Sequence, residues 1–210
     1  MTGGTEPASV DRAGWRRAVD LEAGVWRSLY RWIRRRPFPL PADTAAFPYV
    51  AGVAPVMWVF IAMSAVEIPI LHLLLPAGWW RVGALVLGAW GLLWMVGLLA
   101  SLRMHPHLLG PDGLRLRYGT SIDVLVPWTA IESIHRGSRN LPKSRKVQVE
   151  NGERGDACLL VVNSQTNVDI QLREPIVLPL RQCPDAVIRI RCYADDPAGI
   201  VARARDLVDG

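Results

Sequence analysis

The sequence predicts an α+β membrane protein: an apolar helical hairpin followed by about seven short strands and a C-terminal helix. Three observations lead there. Charge is segregated, because residues 49–102 carry only Glu67 and Arg81 while both flanks are densely charged. After Pro106 the apolar period changes from helical to alternating, the pattern of half-buried strands. Near the end, Asp195-Asp196-Pro197 sets an Asp N-cap before a Pro at the first helical position, a helix start.

Composition fits this reading. The 210 residues are 50% apolar and 20% charged, which excludes a disordered chain. Six of the nine Trp precede residue 81. No cleavable secretory signal is visible, since the first apolar run begins near Tyr49. Net charge is +5. Nucleic acid is the reflex partner for a basic chain, but basic residues are expected beside membrane spans, so no nucleic-acid partner is expected.

The first span, 49–75, is about 40 Å of helix, enough to cross a hydrocarbon core with tilt. The second, 82–102, has no charge and is about 31 Å long. The turn PAGWWR (76–81) permits only a tight hairpin, with Trp79 and Trp80 where an aromatic belt belongs. Residues 1–48 hold eight Arg, the turn one, and residues 103–210 fifteen Lys and Arg. The positive-inside rule then predicts a two-pass plasma-membrane protein with both termini cytoplasmic. Glu67 is unusual, because a carboxylate at depth costs about 3 kcal/mol on insertion scales. His72 follows five residues on, with Pro69 between them loosening the helix. Glu67 counts level with about Trp90. Two readings stand: a structural lock, with the Trp90 or Trp94 indole N–H donating to Glu67, or a proton or ion site in a transport assembly.

Residues 1–36 form a basic N-terminal region. Trp15, Val19, Trp26, Leu29 and Ile33 recur at helical spacing, and Arg27, Arg31, Arg34, Arg35 and Arg36 make the end strongly basic. Such a helix suits an anionic leaflet, or packs on the protein's own domain with its Arg solvated. Residues 37–48 hold four Pro and read as an extended connector. Residues 106–210 form the cytoplasmic domain. Its strand candidates are 114–118, 121–128, 130–136, 145–151, 157–163, 167–173, 175–180 and 186–194, punctuated by Gly, Asn and Pro. The segment 136–146 reads as a long loop in which Arg136, Arg139, Lys143, Arg145 and Lys146 carry five positive charges and no acid. It is an anion-binding loop facing lipid, or a solvated loop.

The run Gly113 to Gly119, then Val126-Pro127-Trp128, then Ile131-Glu132-Ser133-Ile134, resembles the bacterial pleckstrin-homology-like (PH-like) domain proteins. Residues 37–210 also resemble a group of actinobacterial integral membrane proteins. The resemblance implies a PH-like β-barrel capped by the terminal helix, hung from the hairpin. It also implies a bacterial membrane, whose anionic lipids are phosphatidylglycerol and cardiolipin. No catalytic residues come with that family, so none are carried over.

The residues show little chemistry. No GxxxxGK[ST], GxGxxG, GxSxG or HExxH is present. His105 and His107 flank Pro106 without a third ligand, so no metal is expected. Cys158, Cys183 and Cys192 form no CxxC pair, and Cys158 and Cys192 read as buried apolar residues on strands. No cofactor and no catalysis are expected. The favoured role is a membrane-anchored interaction module that binds a protein partner or its own copies at the inner leaflet. The alternatives are an anionic-lipid surface sensor using the basic segments, and a transport subunit centred on Glu67.

Overall fold

The computed structural model describes residues 8–36, 39–142, 145–152 and 155–208, with side chains from 19 to 207 within those ranges. A basic helix, α1 (Ala8–Ile33), comes first, then a short strand, β1 (Ala45–Phe47). Two apolar helices follow, α2 (Ala54–Leu74) and α3 (Trp79–Met104), each long and apolar enough to cross a membrane. Eight strands come next: β2 (His107–Gly110), β3 (Gly113–Tyr118), β4 (Ile122–Pro127), β5 (Ile131–Asn140), β6 (Val147–Glu150), β7 (Asp156–Leu160), β8 (Gln165–Val177) and β9 (Ala186–Cys192). The last element is α4 (Pro197–Val208), whose first turn is capped by Asp196, with Gly199 N–H donating to Oδ1 at 2.8 Å.

The strands make two sheets, one ordered β1-β2-β3-β4 and one ordered β5-β8-β9-β7-β6. All neighbours are antiparallel except β7 and β9. Alternation fixes which face is inward. In β4, Ile122, Val124 and Val126 are buried while Asp123, Leu125 and Pro127 are exposed. Leu114 and Leu116 of β3, Ile170 and Leu172 of β8, and Ile190 of β9 meet them in one core, closed by Ile200, Val201 and Ala204 of α4. Burying each such side chain contributes about 1.5–3 kcal/mol.

The expected barrel does not close. Among the described residues no ladder joins the two sheets, because a 3-10 turn at Trp128–Ala130 redirects the chain after β4 and β5 then pairs with β8. About seven strands are expected, and nine form among the described residues. The additional strands are β1, inside the segment read as a connector, and β2, at the exit of α3. Ala45 pairs with Leu109 and Phe47 with His107. The helical hairpin therefore projects from between two hydrogen-bonded strands.

Within the hairpin the helices approach closely. A Cβ on Gly88 would lie 2.8 Å from Ile68 Cγ1, so only Gly fits there. At the turn, Arg81 Nε donates to Leu75 O at 3.2 Å, and the Trp79 and Trp80 rings stack. The outward surface stays apolar and open: Phe60, Met63, Val66, Leu73, Val86 and Leu87 are all more than half exposed. That is the reverse of a soluble core helix.

Side chains from both sides of the hairpin lock its base. Asp195 carboxylate oxygens accept from Val50 N–H at 3.1 Å and from Ala51 N–H at 3.0 Å, and Asp195 N–H donates to Pro48 O at 2.8 Å. Buried Tyr49 accepts from Gly119 N–H through its hydroxyl at 2.7 Å and lies against His107 and Tyr118. Hydrogen bonds to a charged acceptor are worth about 1.5–3 kcal/mol each, and water replaces part of that here. Asp195→Ala is therefore expected to cost about 1–2 kcal/mol in thermal unfolding and to speed amide exchange at Val50 and Ala51.

Candidate functional site

α1 does not stand apart from the hairpin. It crosses the C-terminal half of α3, burying Val25, Ser28 and Leu29. Gly97 makes the crossing possible, since a Cβ there would meet Val25 Cγ1 at 2.7 Å. The buried face differs from the expected stripe: Val19 is 46% exposed and Ile33 69%, and the Trp15 side chain lies outside the described residues. One flank of α1 meets α3 through Trp26, whose ring lies 4.9 Å from that of Trp90. Another flank meets the β3–β4 turn, where Gly24 faces Thr120. Past the crossing, the Arg103 guanidinium sits between the Trp32 ring at 5.9 Å and the Trp58 ring at 6.0 Å.

This crossing encloses a groove of about 570 Å³ between α1, α3 and the β3–β4 turn. Its apolar end is Trp90, Gly91, Trp94 and Leu98; its polar end is Glu22, Thr120, Ser121 and Lys146. The Lys146 ammonium lies 5.3 Å from the centre of the Tyr118 ring, a cation–π contact.

The predicted basic residues fall into separate places. Arg27 is exposed on α1, Arg34 lies over the Tyr30 ring at 5.1 Å, and Arg31, Arg35 and Arg36 frame a hollow with Trp32 and Met104. The segment 136–146 is not one loop: β5 runs on to Asn140, carrying Arg136 opposite Val168 and Arg139 opposite Thr166. Its charges are therefore divided. Arg139 pairs with Glu150, the last residue of β6, at 2.7 Å, while Arg145 and Lys146 precede the first residue of that strand. Lys143 lies outside the described residues.

Two arginines that sequence reasoning missed join Arg139. Arg191 bonds Glu150 at 3.0 Å and Asp169 at 3.1 Å, and Arg189 lies 3.5 Å from Asp169. Their signal was the alternation Arg189-Ile190-Arg191 on β9, which puts both on one face. Carboxylates answer these cations, so the cluster reads as an ion-pair network on the sheet.

A second open feature is a cleft of about 1190 Å³ beside β6, lined also by the start of β4, Leu21 and Arg181. β4 and β6 are each an edge of their sheet, so the cleft lies along the seam the barrel leaves open.

Glu67 is exposed on α2, and among the described residues no hydrogen bond or ion pair ties it to Trp90 or Trp94. His72 lines a separate hollow with Ile68, Pro69 and Leu85, and its Nδ1 is buried without a hydrogen-bond partner. The structure therefore brings Trp90 together with Trp26 in place of Glu67.

Burial favours the neutral form of two histidines and two cysteines. His107 is buried; its Nδ1 accepts from Arg117 N–H at 3.1 Å, so its Nε2–H donates to Tyr193 O at 3.0 Å. Desolvation lowers its pKa from the ordinary 6.5 to about 4, against a smaller opposing push from the Tyr193 carbonyl. Burial also lowers His105, whose Nδ1–H donates to Ser101 O at 2.8 Å. Cys158 and Cys192 are fully buried on β7 and β9, and burial pushes the Cys192 thiol up to about 12 and the Cys158 thiol up as well. Thiols held protonated are poor nucleophiles. Among the described residues no three His, Cys, Asp or Glu side chains gather to hold a metal ion. No family model matches this chain, nor does any curated protein or solved structure.

Proposed function

We propose that this chain is a two-pass membrane protein with both termini cytoplasmic, an interaction module that holds its sheet domain rigidly at the inner leaflet, without a catalytic step. The observation that carries the reading is the pairing of β1 with β2 across the hairpin. A domain on a loose tether would need no such junction. Here Asp195, Tyr49 and His107 fix it to the hairpin base, so the face it presents to a partner has a set height and direction above the membrane. Arg103 between two Trp rings suits the inner interface, and Trp79 with Trp80 the outer one.

The partner surface in this reading is the seam between β4 and β6. An exposed sheet edge accepts an extended segment by strand addition. The partner is another protein or a second copy of this chain. The test is a photo-crosslinking amino acid at Val149, which is 38% exposed on β6, in the full chain in its own membrane. A discrete heavier product is expected, near twice the 23.3 kDa chain mass if copies self-associate. The same probe at Arg203 on α4 is expected to give none. Monomer alone at both positions would count against the reading.

A lipid-sensing role has one observation of its own. Lys146 and the Trp90–Trp94 face share a groove that would open toward the leaflet.

A further inference from the structure

We propose that the groove between α1, α3 and the β3–β4 turn binds one phospholipid of the inner leaflet with a zwitterionic, amine-bearing head group. The inference rests on the hairpin spanning the membrane.

Two opposite charges line the polar end, Glu22 and Lys146. Both are exposed, and neither forms an ion pair with a described residue. A cation and an anion left unpaired across one groove match a ligand that carries both signs. The Lys146 ammonium would take the phosphate, and the Glu22 carboxylate would accept hydrogen bonds from the ligand's ammonium. Ser121 and Thr120 add hydroxyls beside them. Phosphatidylglycerol would satisfy Lys146 but bring no cation to Glu22, whose carboxylate would then face only neutral hydroxyls. A choline head group has no N–H to donate.

The apolar end fits an acyl chain. Trp90 and Trp94 lie about 18 Å and about 12 Å along α3 from Leu102, at the head-group end. Between them Gly91 leaves a slot, for a Cβ there would meet nothing within 4 Å. The slot continues onto the exposed apolar surface at Val86 and Leu87, so a chain could run from the groove into the leaflet. The volume, about 570 Å³, is in the usual range for a ligand site.

The test is native mass spectrometry of the full chain released from nanodiscs of equal parts phosphatidylethanolamine, phosphatidylglycerol and phosphatidylcholine. One phosphatidylethanolamine per chain is expected to survive release, about tenfold enriched over either other lipid. Glu22→Lys is expected to shift retention to phosphatidylglycerol, and Lys146→Glu to abolish retention of phosphatidylethanolamine. Both side chains are exposed, so circular dichroism should show the fold unchanged in each variant. Enrichment of phosphatidylglycerol or phosphatidylcholine on the unaltered chain would overturn the proposal, as would a Glu22→Lys chain with unaltered lipid retention. A chain that enters nanodiscs yet retains no lipid overturns the groove alone. One that never enters them contradicts the membrane reading instead.

Discussion

Acidification from pH 7 to pH 4 is expected to loosen the base of the hairpin by about 3 kcal/mol through His107 alone. The folded protein holds this imidazole neutral with a pKa of about 4, while the unfolded chain binds the proton near 6.5. Above pH 6.5 neither state is protonated and the full stability is present. Between 6.5 and 4 the unfolded state binds more protons, so stability falls as pH falls. Protonation would place a second N–H against the Arg117 N–H that Nδ1 now accepts. His107→Leu removes both hydrogen bonds and leaves the part-buried Arg117 N–H and Tyr193 C=O without this partner. That substitution is expected to cost about 2–5 kcal/mol at pH 7 and to remove this part of the pH slope. Thermal unfolding of the full chain against pH, unaltered and substituted, measures both effects. Equal slopes in the two proteins would refute the assignment to His107.

Gly97→Leu is expected to lift α1 off α3. Even a Cβ at this position would sit 2.7 Å from Val25 Cγ1 and 3.5 Å from Val25 O, so the larger side chain has no room. Overpacking of this kind costs about 1–3 kcal/mol. Gly97 is a point of close approach in the crossing, so a bulky side chain there is expected to separate Trp26 from Trp90 and open the groove. Trypsin cleavage at Arg27, which is exposed but held in a packed helix, is expected to speed up about tenfold or more. Unchanged cleavage would mean that α1 is held by something other than the Gly97 crossing.

The alternating segments were legible because a strand with one face on a core repeats every two residues, as β3 and β4 do. Shorter strands gave no period. β1 has three residues, and in β2 the first three, His107, Leu108 and Leu109, are all buried, so no polar face marks it. β5 looked finished at Arg136 because the residues beyond carry no apolar side chain; its extension is held by pairing with β8. Pro175 divided β8 into two apparent strands, where the structure keeps one across an irregularity between Gln171 and Ile176. Trp90 and Trp94 were read as donors to Glu67, and Lys146 as one of five charges in the segment 136–146. Their meeting depends on α1 folding back across α3, as in the contact of Trp26 with Trp90, which lie far apart in the chain, and no local pattern encodes it. Glu22 was not singled out in the sequence, being an exposed acid on the helix with no partner pattern of its own.

The most direct measurement is labelling of single introduced cysteines by a membrane-impermeant maleimide in intact cells and after lysis. Ala77→Cys places a thiol in the hairpin turn, and Arg203→Cys places one on α4, both at exposed positions. The native thiols are buried and give a quiet background. The account predicts that Ala77→Cys labels in intact cells and that Arg203→Cys labels only after lysis. Labelling of Arg203→Cys in intact cells, or of Ala77→Cys only after lysis, would contradict a hairpin that spans the membrane with its sheet domain on the cytoplasmic side.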